Sequence, residues 1–465
     1  MTHWTPDISG YSGHRYRAVA EAIRDAILSG ELRPDSKLLA HREMAWRLGV
    51  TIGTVAKAYQ LLAEWGLVYA KVGDGTRIKE QEDSETRLVL GRKKERRVDF
   101  GLLLPSPLND RALRKQAFAD TLTKLGNDLL RKPITGYGPE LGYESHRRAG
   151  ASFMAESGYS APPSEILVTD GVQEAIHLLL SVFSKPSDIV MTEEIGYLGF
   201  KTACSIQNRV IAPIAMDDQG IIPSCLESVA TKTQSKLLFI VPNIQNPTGI
   251  TLSLERRKQI AEISKRCGFY IIENNPFWAI SGALPPPIVS LAPDNTFYVT
   301  SLSKYASPTL RIGYLRSDIK YIPDLEIAKH ALSLTGSSLQ AEVARTWIKT
   351  GIIYELANWQ RKEIIARWEI AKQILGEYFP ADNEAKPFLW LKLPTQWRSS
   401  EFISALKLEG VACIDSSHFT QGRSKELNSV RLALTTPDTQ EHLKKGLLVV
   451  KDTLGKNPMM NLPLY

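Results

Sequence analysis

The alternation of short β-branched runs with long helical stretches, which begins near Asp99, is the feature that most constrains the fold. Five runs have the length and composition of buried strands: 166–168, 189–191, 237–241, 270–272 and 296–300. Helical stretches such as 173–183 and 253–267 separate them. Because helices of this kind supply the crossovers that parallel strands need, the pattern predicts an α/β domain with a mainly parallel sheet and helices on both faces.

A different pattern occupies residues 1–79. Apolar residues recur at helical spacing over 16–27 and again over 42–48. Thr51 can cap a third helix, and two apolar runs then flank Gly73-Asp74-Gly75, which indicates a hairpin. Three helices followed by a hairpin predict a winged helix-turn-helix, whose third helix enters the major groove of DNA.

Several side chains of this predicted domain are positioned to meet double-stranded DNA. Base contacts are expected from the start of the third helix, at Thr51, Ile52, Gly53, Thr54 and Lys57. Phosphate contacts are expected from Arg42, Arg47, Lys71, Arg77 and Lys79. The net charge of +7 permits a polyanionic partner but does not demand one. A small helical interaction domain with a solvated basic face is the alternative.

The chain divides into four predicted segments. Residues 80–98 combine dense mixed charge with few apolar residues, which is typical of a linker. A winged helix-turn-helix over 1–79 precedes this linker, and a large α/β domain over 99–334 follows it. After about residue 335, helices give way to strand-like runs at 388–391 and 430–433, which predicts a small α+β subdomain over 335–465.

The four cysteines are scattered, with neither a CxxC pair nor metal-ligand spacing, so we expect a reducing compartment and no metal site. The first 17 residues lack the apolar core of a signal peptide. No apolar run approaches the ~20 residues that cross a bilayer. These observations predict a cytoplasmic protein without membrane association.

The most specific chemical motif is Ser301-Leu302-Ser303-Lys304, followed seven residues later by Arg311. Two hydroxyls and an arginine around an amine are suited to a phosphate, and a lysine in a cationic site can form a Schiff base. Gly171-Val172-Gln173 follows a predicted strand and opens a helix, where backbone N–H groups attract phosphate. A surface lysine on an ordinary turn is the alternative interpretation of the first motif.

With its other motifs, the chain from about residue 100 resembles a fold-type I pyridoxal-phosphate aminotransferase. The whole chain resembles the MocR-like branch of the GntR regulators, which fuse such a domain to a winged helix. The front part of this resemblance lies in 39–45, 48–55, 58–59 and 73–76. Many GntR helices carry an arginine where this chain has Ile52.

The resemblance implies roles for individual residues at a pyridoxal 5′-phosphate site. Lys304 resembles the lysine that forms a Schiff base with the cofactor. The phosphate cup is implied at Gly171, Val172, Gln173, Ser301, Ser303 and Arg311. Tyr197 matches an aromatic ring stacked on the pyridine, and Asn246 matches an asparagine that bonds the ring 3-oxygen.

Two further matches concern a ligand and a partner. Arg431 matches the arginine that clamps a substrate α-carboxylate, which implies an amino-acid-like ligand. Tyr137 matches a tyrosine that reaches the phosphate of the neighbouring subunit, which implies a homodimer.

One segment departs from the family pattern. Where the family usually has Glu-Asp-Asp-Pro-Tyr, this chain has Glu273-Asn274-Asn275-Pro276-Phe277. Asn274 is neutral and cannot stabilise a protonated pyridine nitrogen by charge, and Phe277 lacks the hydroxyl that bonds the 3-oxygen. Strand alternation turns Glu273 to the opposite face. We therefore predict cofactor binding with weak or absent transamination.

Three hypotheses of function follow. The first is a DNA-binding transcriptional regulator that senses pyridoxal phosphate or an amino compound through Lys304. The second is a working aminotransferase acting on an amino acid, with an incidental N-terminal domain. The third, a cofactor-independent regulator with a vestigial fold, is opposed by the intact Lys304 and Arg311.

Overall fold

A computed structural model describes residues 4–11, 14–28, 31–32, 36–65, 67–71, 75–78, 98–107, 110–131, 136–381, 384–421 and 427–456. The chain forms two compact units, Met1–Glu95 and Arg96–Tyr465. The predicted linker lies outside the described residues except for Val98, as do Lys79 and the hairpin residues Gly73 and Asp74. No helix within these ranges has both the length and the apolar character needed to cross a membrane.

The first unit is the predicted winged helix-turn-helix. Its elements are α1 (Arg15–Leu28), α2 (His41–Leu48), α3 (Ile52–Glu64), β1 (Val68–Lys71) and β2 (Gly75–Ile78). Gly49 ends α2 with a φ of 59°, a left-handed conformation that glycine adopts without strain. Thr51 then caps α3 by accepting a hydrogen bond from the Thr54 N–H at 3.2 Å, as predicted. Side chains from the three helices and the hairpin, such as Val19, Val55 and Ile78, share one buried core.

A seven-stranded sheet forms the centre of the second unit. Its strands are β4 (Ile166–Thr169), β5 (Ile189–Glu193), β6 (Val210–Ile214), β9 (Leu237–Ile240), β10 (Tyr270–Asn274), β11 (Thr296–Ser301) and β12 (Gly313–Arg316). The order across the sheet is β4-β12-β11-β10-β9-β5-β6, and β12 is antiparallel to both of its neighbours. The other strand pairs in this sheet are parallel, which confirms the predicted α/β class.

Helices bury both faces of this sheet, and the strands alternate accordingly. Leu237 and Phe239 of β9 pack into one core, whereas Leu238 and Ile240 pack into another. Burial of both faces explains why these strands read as continuous apolar runs.

The helices of this unit are α4 (Asp110–Arg131), α5 (Glu144–Ala155), α6 (Val172–Phe183), α7 (Leu198–Ile206), α8 (Pro223–Thr233), α9 (Leu254–Cys267), α10 (Ile322–Ser333), α11 (Ser338–Thr350), α12 (Ile352–Leu375), α13 (Ser399–Leu408) and α14 (Gln440–Gly455).

The remaining strands lie outside the seven-stranded sheet. They are β3 (Val98–Asp99), β7 (Met216–Asp217), β8 (Gly220–Ile221), β13 (Phe388–Lys392), β14 (Val411–Ala412), β15 (Ile414–Asp415) and β16 (Ser429–Ala433). A three-stranded sheet has the order β13-β16-β15, and β3 pairs in parallel with β14. Residues of β3, β13, β14 and β16, together with α12–α14, build a second, smaller core.

The division between the two cores differs from the predicted boundary at residue 335. The long helix α12 contributes Ile353 and Leu356 to the large core and Trp368 and Leu375 to the small one. At the other end of the unit, Val98 packs into the small core, although the sequence pattern predicts it to be the last residue of the linker. Because one continuous helix contributes apolar residues to both cores, its composition does not change at the point where the cores meet. The sequence pattern alone therefore does not locate the boundary between them.

Candidate functional site

The predicted site residues of the second unit come from loops at one edge of the large sheet. Gly171 follows β4, Tyr197 follows β5, and Asn246 follows β9. Asn274 is the last residue of β10, and Lys304 follows β11. Because these five strands run in the same direction, their carboxyl ends meet at this edge, which is where α/β proteins place their ligand sites.

The predicted phosphate cup is built around the start of α6. Gly171 immediately precedes this helix and has a φ of 84°. The N–H groups of the first helical turn, which have no partner within the helix, therefore lie next to Gly171. Arg311 donates from Nη2 to the Asp170 carbonyl at 3.0 Å. A Cβ at residue 171 would lie 3.1 Å from that same nitrogen, so glycine is what lets the guanidinium approach the helix start. Ser301 is buried and Ser303 is half-buried on the neighbouring segment.

Beneath the cup lies a buried ion pair that sequence reasoning missed. Lys329, which is fully buried, donates from Nζ to Glu174 Oε2 at 2.8 Å. The same carboxylate accepts hydrogen bonds from the Asp170 N–H and from the Ser333 hydroxyl, each at 2.7 Å. Burial by itself would raise the pKa of Glu174, but the Lys329 charge and these donors hold it below its ordinary value. The pair thus joins the loop at the helix start to α10.

Lys304 lies on a turn after β11, and its amine points toward a segment near the start of this unit. Nζ donates to the Leu103 carbonyl at 2.9 Å. Packing of protein atoms around the amine, together with the positive charges of Arg431 and Arg311, lowers the pKa of Lys304 to about 8. A substantial neutral fraction near pH 8 makes this amine a nucleophile, which an ordinary surface lysine is not.

The Asn274 side chain is buried at the end of β10. Among the described residues its Oδ1 has no hydrogen-bond donor. Glu273 points to the other face, as the strand alternation predicts, where its carboxylate accepts hydrogen bonds from the N–H groups of Ile288 and Val289 at 2.9 and 2.8 Å. Burial raises the pKa of Glu273 to about 7. Glu273 therefore does not substitute for a carboxylate at position 274.

The neighbouring Asn275 belongs to a chain of buried polar groups. It accepts a hydrogen bond at Oδ1 from Asn243 Nδ2 and donates from Nδ2 to the Tyr298 hydroxyl, both at 3.0 Å. Arg257 donates to Asn243 Oδ1 at 2.5 Å, and the Tyr298 hydroxyl donates to Ser157 at 2.7 Å. Because an amide can accept and donate at once, Asn275 satisfies both neighbours, which a carboxylate could not do.

Arg431 lies on β16 and is 4% exposed. Its Nη1 donates to Asn246 Oδ1 at 2.8 Å, and its Nη2 donates to the Gly101 carbonyl at 2.5 Å. The Phe419 ring lies 4.9 Å from the guanidinium carbon. Burial lowers the pKa of Arg431 to about 10, with the guanidinium still charged at neutral pH. The structure thus brings Arg431 and Asn246 into direct contact.

The two predicted tyrosines have different surroundings. Tyr197 immediately precedes α7, and its ring stacks on that of Phe239 with the ring centroids 6.3 Å apart. The loop in front of it is held by a hydrogen bond from the Gly196 N–H to the Phe419 carbonyl at 2.9 Å. Tyr137, by contrast, is 82% exposed. Phe277, in the segment that departs from the family pattern, is buried in the large core beside Phe388.

The residues at this edge fit pyridoxal 5′-phosphate. The buried Oδ1 of Asn274 lacks a donor among the described residues, so the amide of this residue can bond a polar group of a ligand. The glycine at the start of α6 lets the Arg311 guanidinium approach the helix N-terminus, which places two groups that attract an anion side by side. An amine with a lowered pKa completes the set of groups that this cofactor needs.

The first unit presents a candidate DNA-reading face. Thr51, Ile52, Gly53 and Lys57 are exposed at or near the start of α3, as is Arg42 on α2. Thr54 and Arg77 are half-buried. Arg47 pairs with Glu43 at 2.7 Å. The structure therefore places most of the predicted contact residues on the surface, although the side chain of Lys71 lies outside the described set.

Comparison with known families matches both units. Residues 113–447 match the model of aminotransferase class I and II, and residues 15–78 match that of bacterial regulatory proteins of the gntR family. The uncharacterized HTH-type transcriptional regulator YdeF of Bacillus subtilis is 27% identical over 451 residues, covering 97% of this chain and 96% of YdeF. Aromatic-amino-acid aminotransferase 1 of Thermococcus litoralis is 27% identical over 333 residues, covering 68% of this chain and 79% of that enzyme.

Solved structures give the same fold for the second unit. Kynurenine aminotransferase of Pyrococcus horikoshii, in complex with PMP, superposes with a TM-score of 0.71 at 24% identity, covering 81% of this chain and 95% of that one. The multiple substrate aminotransferase of Thermococcus profundus has a TM-score of 0.69 at 25% identity, with coverage of 82% and 96%. The chain therefore belongs to the class I and II aminotransferase family, with a GntR-family DNA-binding domain in front, which is the architecture of the MocR-like regulators.

Proposed function

We propose that this chain is a cytoplasmic DNA-binding transcriptional regulator whose aminotransferase-like domain binds pyridoxal phosphate and senses an amino compound. One observation carries the proposal: a winged helix is fused to a site that retains Lys304 and Arg431 but has a neutral amide, Asn274, at the end of β10. Groups that bind the cofactor and an amino acid are present, and the carboxylate that promotes turnover is absent.

The retained residues have separate roles in this proposal. The start of α6, with Arg311 and the two serines, holds the phosphate, and Lys304 supplies the amine. When bound, pyridoxal phosphate supplies an aldehyde that reacts with amines and a ring that accepts electrons. Arg431 holds the α-carboxylate of an amino-acid-like ligand through a paired, charge-assisted contact.

Asn274 decides between sensing and catalysis. A neutral amide can hydrogen-bond a ring nitrogen but cannot hold a proton on it by charge, so the ring accepts electrons poorly. Phe277 contributes no hydroxyl. The second candidate, a working aminotransferase, is favoured by the contact between Arg431 and Asn246, which keeps both groups at the ligand side of the site. A slow residual transamination is compatible with both candidates.

The proposal includes a homodimer. Tyr137 is 82% exposed and lies on the loop before α5. A large aromatic side chain with that exposure is well placed to be covered by a second subunit. Reaching a phosphate across the interface would give this exposed tyrosine a role that its own subunit does not supply.

We expect Asn274→Asp to increase transamination. The introduced carboxylate can pair with a protonated ring nitrogen, and such a contact contributes about 1.5–3 kcal/mol, which corresponds to roughly a 10- to 100-fold faster half-reaction. Keto-acid release from the protein loaded with pyridoxal phosphate, measured across an amino-acid panel, gives the rate. Asn275→Asp is the matched control: it adds the same charge one residue away but removes the donor to Tyr298, so it should give no gain. Equal rates for the wild type and Asn274→Asp would contradict the role of Asn274.

Cofactor incorporation should depend on pH through Lys304. Because the neutral amine is the nucleophile and the pKa is lowered to about 8, the rate constant should rise about tenfold per pH unit below pH 8 and level off above it. Stopped-flow absorption after mixing with pyridoxal phosphate measures this rate constant, and Lys304→Ala should remove the visible band. A rate that keeps rising to pH 10 would show an amine with an ordinary pKa.

DNA binding should depend on the face formed by α2 and α3. Arg42→Ala should weaken binding to the chain's own upstream DNA and lower the slope of log K against log salt by about one, because one phosphate contact is lost. Arg17→Ala, which removes the same charge from α1, is the control and should bind as the wild type does. Fluorescence anisotropy at several salt concentrations measures both. If neither the wild type nor Arg17→Ala binds one DNA sequence in preference to others, the result would contradict the regulator hypothesis and favour the enzyme hypothesis.

A further inference from the structure

The tip of the DNA-reading helix presents an apolar side chain to solvent. Ile52 is the first residue of α3 and is 50% exposed. The next residue, Gly53, has only the Thr51 hydroxyl, at 3.9 Å, near the position of a Cβ. The helix start can therefore approach a flat surface closely, with Ile52 as the side chain that projects beside it.

The polar groups at this tip are already engaged with each other. The Thr51 and Thr54 hydroxyls hydrogen-bond at 2.8 Å, and Thr51 Oγ1 also accepts the Thr54 N–H at 3.2 Å. Capping the helix thus ties the two hydroxyls to each other and to the Thr54 N–H, and one O–H donor remains between them. Ile52 is left as a side chain at this tip that is free to contact a base and carries no hydrogen-bonding group.

In the major groove, thymine alone among the four bases carries a methyl group, at C5. A branched aliphatic side chain can contact this methyl group but cannot bond the donors and acceptors of guanine, cytosine or adenine. We propose that Ile52 reads a thymine methyl group, so that each half-site of the operator contains a thymine at the position that meets the tip of α3. This inference rests on the proposed DNA-binding function.

Replacing single thymines of the operator by deoxyuridine tests the assignment, because uracil pairs identically but lacks the methyl group. For the wild type, one position per half-site should lose about fourfold in affinity, the equivalent of burying one methyl group. Ile52→Ala should bind the thymine operator more weakly and show no loss at that position, and Ile52→Val should retain the loss. 5-Methylcytosine at this position should bind more tightly than cytosine.

The outcomes separate the inference from the function on which it rests. Sequence-preferring binding in which no deoxyuridine effect depends on Ile52 would overturn the inference and leave the regulator intact. Absence of any sequence preference would reject the regulator and the inference together. Arg42→Ala controls for general weakening, since the loss of a phosphate contact should lower the affinity and the salt slope but keep the deoxyuridine pattern.

A second, independent observation concerns the segment 100–104, which we term the carbonyl strap. Each of its five carbonyls accepts a hydrogen bond: Phe100 from Ala433 N–H at 2.8 Å, Gly101 from Arg431 at 2.5 Å, Leu102 from the Thr436 hydroxyl, Leu103 from Lys304 at 2.9 Å, and Leu104 from the Thr435 hydroxyl at 2.6 Å. Two of these donors are the cations assigned to the ligand site.

The strap therefore competes with a ligand for Arg431. A carboxylate can bind a guanidinium in a bidentate manner through Nε and Nη2 or through Nη1 and Nη2. Nη2, which donates to the Gly101 carbonyl, belongs to both of these pairs. Nε is buried and has no acceptor among the described residues. A carboxylate forms shorter and roughly twice as strong hydrogen bonds to a guanidinium as a neutral carbonyl does, so a carboxylate ligand displaces Gly101.

The strap lies close in sequence to the segment that connects the two units. The strap follows β3 directly, and the sequence before β3 leads through 80–97 to the winged helix. We infer that a carboxylate bound at Arg431 releases the strap. Because the strap lies at the end of the segment that leads to the DNA-reading unit, its release would signal to that segment that a ligand is bound. This inference rests on the proposed sensing function.

Hydrogen exchange followed by mass spectrometry tests the release. The Gly101 and Ser106 N–H groups donate to Asp99 and Gln360 at 2.7 and 2.9 Å, so their exchange reports on the strap. With pyridoxal phosphate present, an amino acid that binds should accelerate exchange over 100–106 severalfold, and its decarboxylated amine should not. Thr436→Val, which removes the donor to Leu102 without touching either cation, should raise exchange before ligand is added and tighten amino-acid affinity.

Calorimetry on the same samples separates the two ways of failing. An amino acid that binds, with heat dependent on Arg431, while exchange over 100–106 is unchanged would overturn the strap inference alone. If no member of the panel binds, sensing of an amino compound at this site fails, and the strap inference fails with it.

Discussion

Parallel pairing of neighbouring strands is the constraint on which the rest of this structure depends. β10 lies between β9 and β11 with both ladders parallel, so Asn274 pairs with Val299 while Glu273 pairs with Ile240. This register places the end of β10 beside the loops that carry Asn243 and Lys304. Residues that follow different strands meet at this edge because the strands share a direction, and the direction follows from the helical crossovers between them.

Charge at this site is distributed unevenly, and the distribution matches binding better than turnover. Two cations, Lys304 and Arg431, are held among protein atoms that lower the pKa of each. The nearest buried carboxylate on β10, Glu273, is bonded to backbone N–H groups on the opposite face. The ligand side is thus electropositive, which suits a phosphate and a carboxylate. It offers no negative charge from β10 to a ring nitrogen.

In both units, hydrogen bonds made within the protein decide which groups remain for a ligand to contact. At the tip of α3, the Thr51 and Thr54 hydroxyls are engaged with each other, and the apolar Ile52 beside them is exposed. At the ligand site, backbone carbonyls of the strap occupy the cations. In both places the groups left without a partner, or held by a weaker one, indicate what kind of ligand fits.

Much of the fold and many of the site residues could be predicted because they depend on local signals. The apolar runs of the sheet, the Thr51 cap and the serines beside Lys304 are all visible along the chain. The sequence also showed that Asn274 stands where the family has a carboxylate, since one residue type at one strand end carries that information. The roles of these residues remain predictions, although the structure brings most of them to one edge.

Other features have no local signal, and only the tertiary structure decided them. The pairing of Lys329 with Glu174 joins residues 155 positions apart, and either could have been a solvated charge. Val98 and Phe100 join the C-terminal core through a strand of two residues, too short to show a pattern. The strap acts through backbone carbonyls, which are the same in every residue. The sequence therefore determined which side chains are available, and long-range packing determined which of them are buried, paired or left with an unsatisfied group.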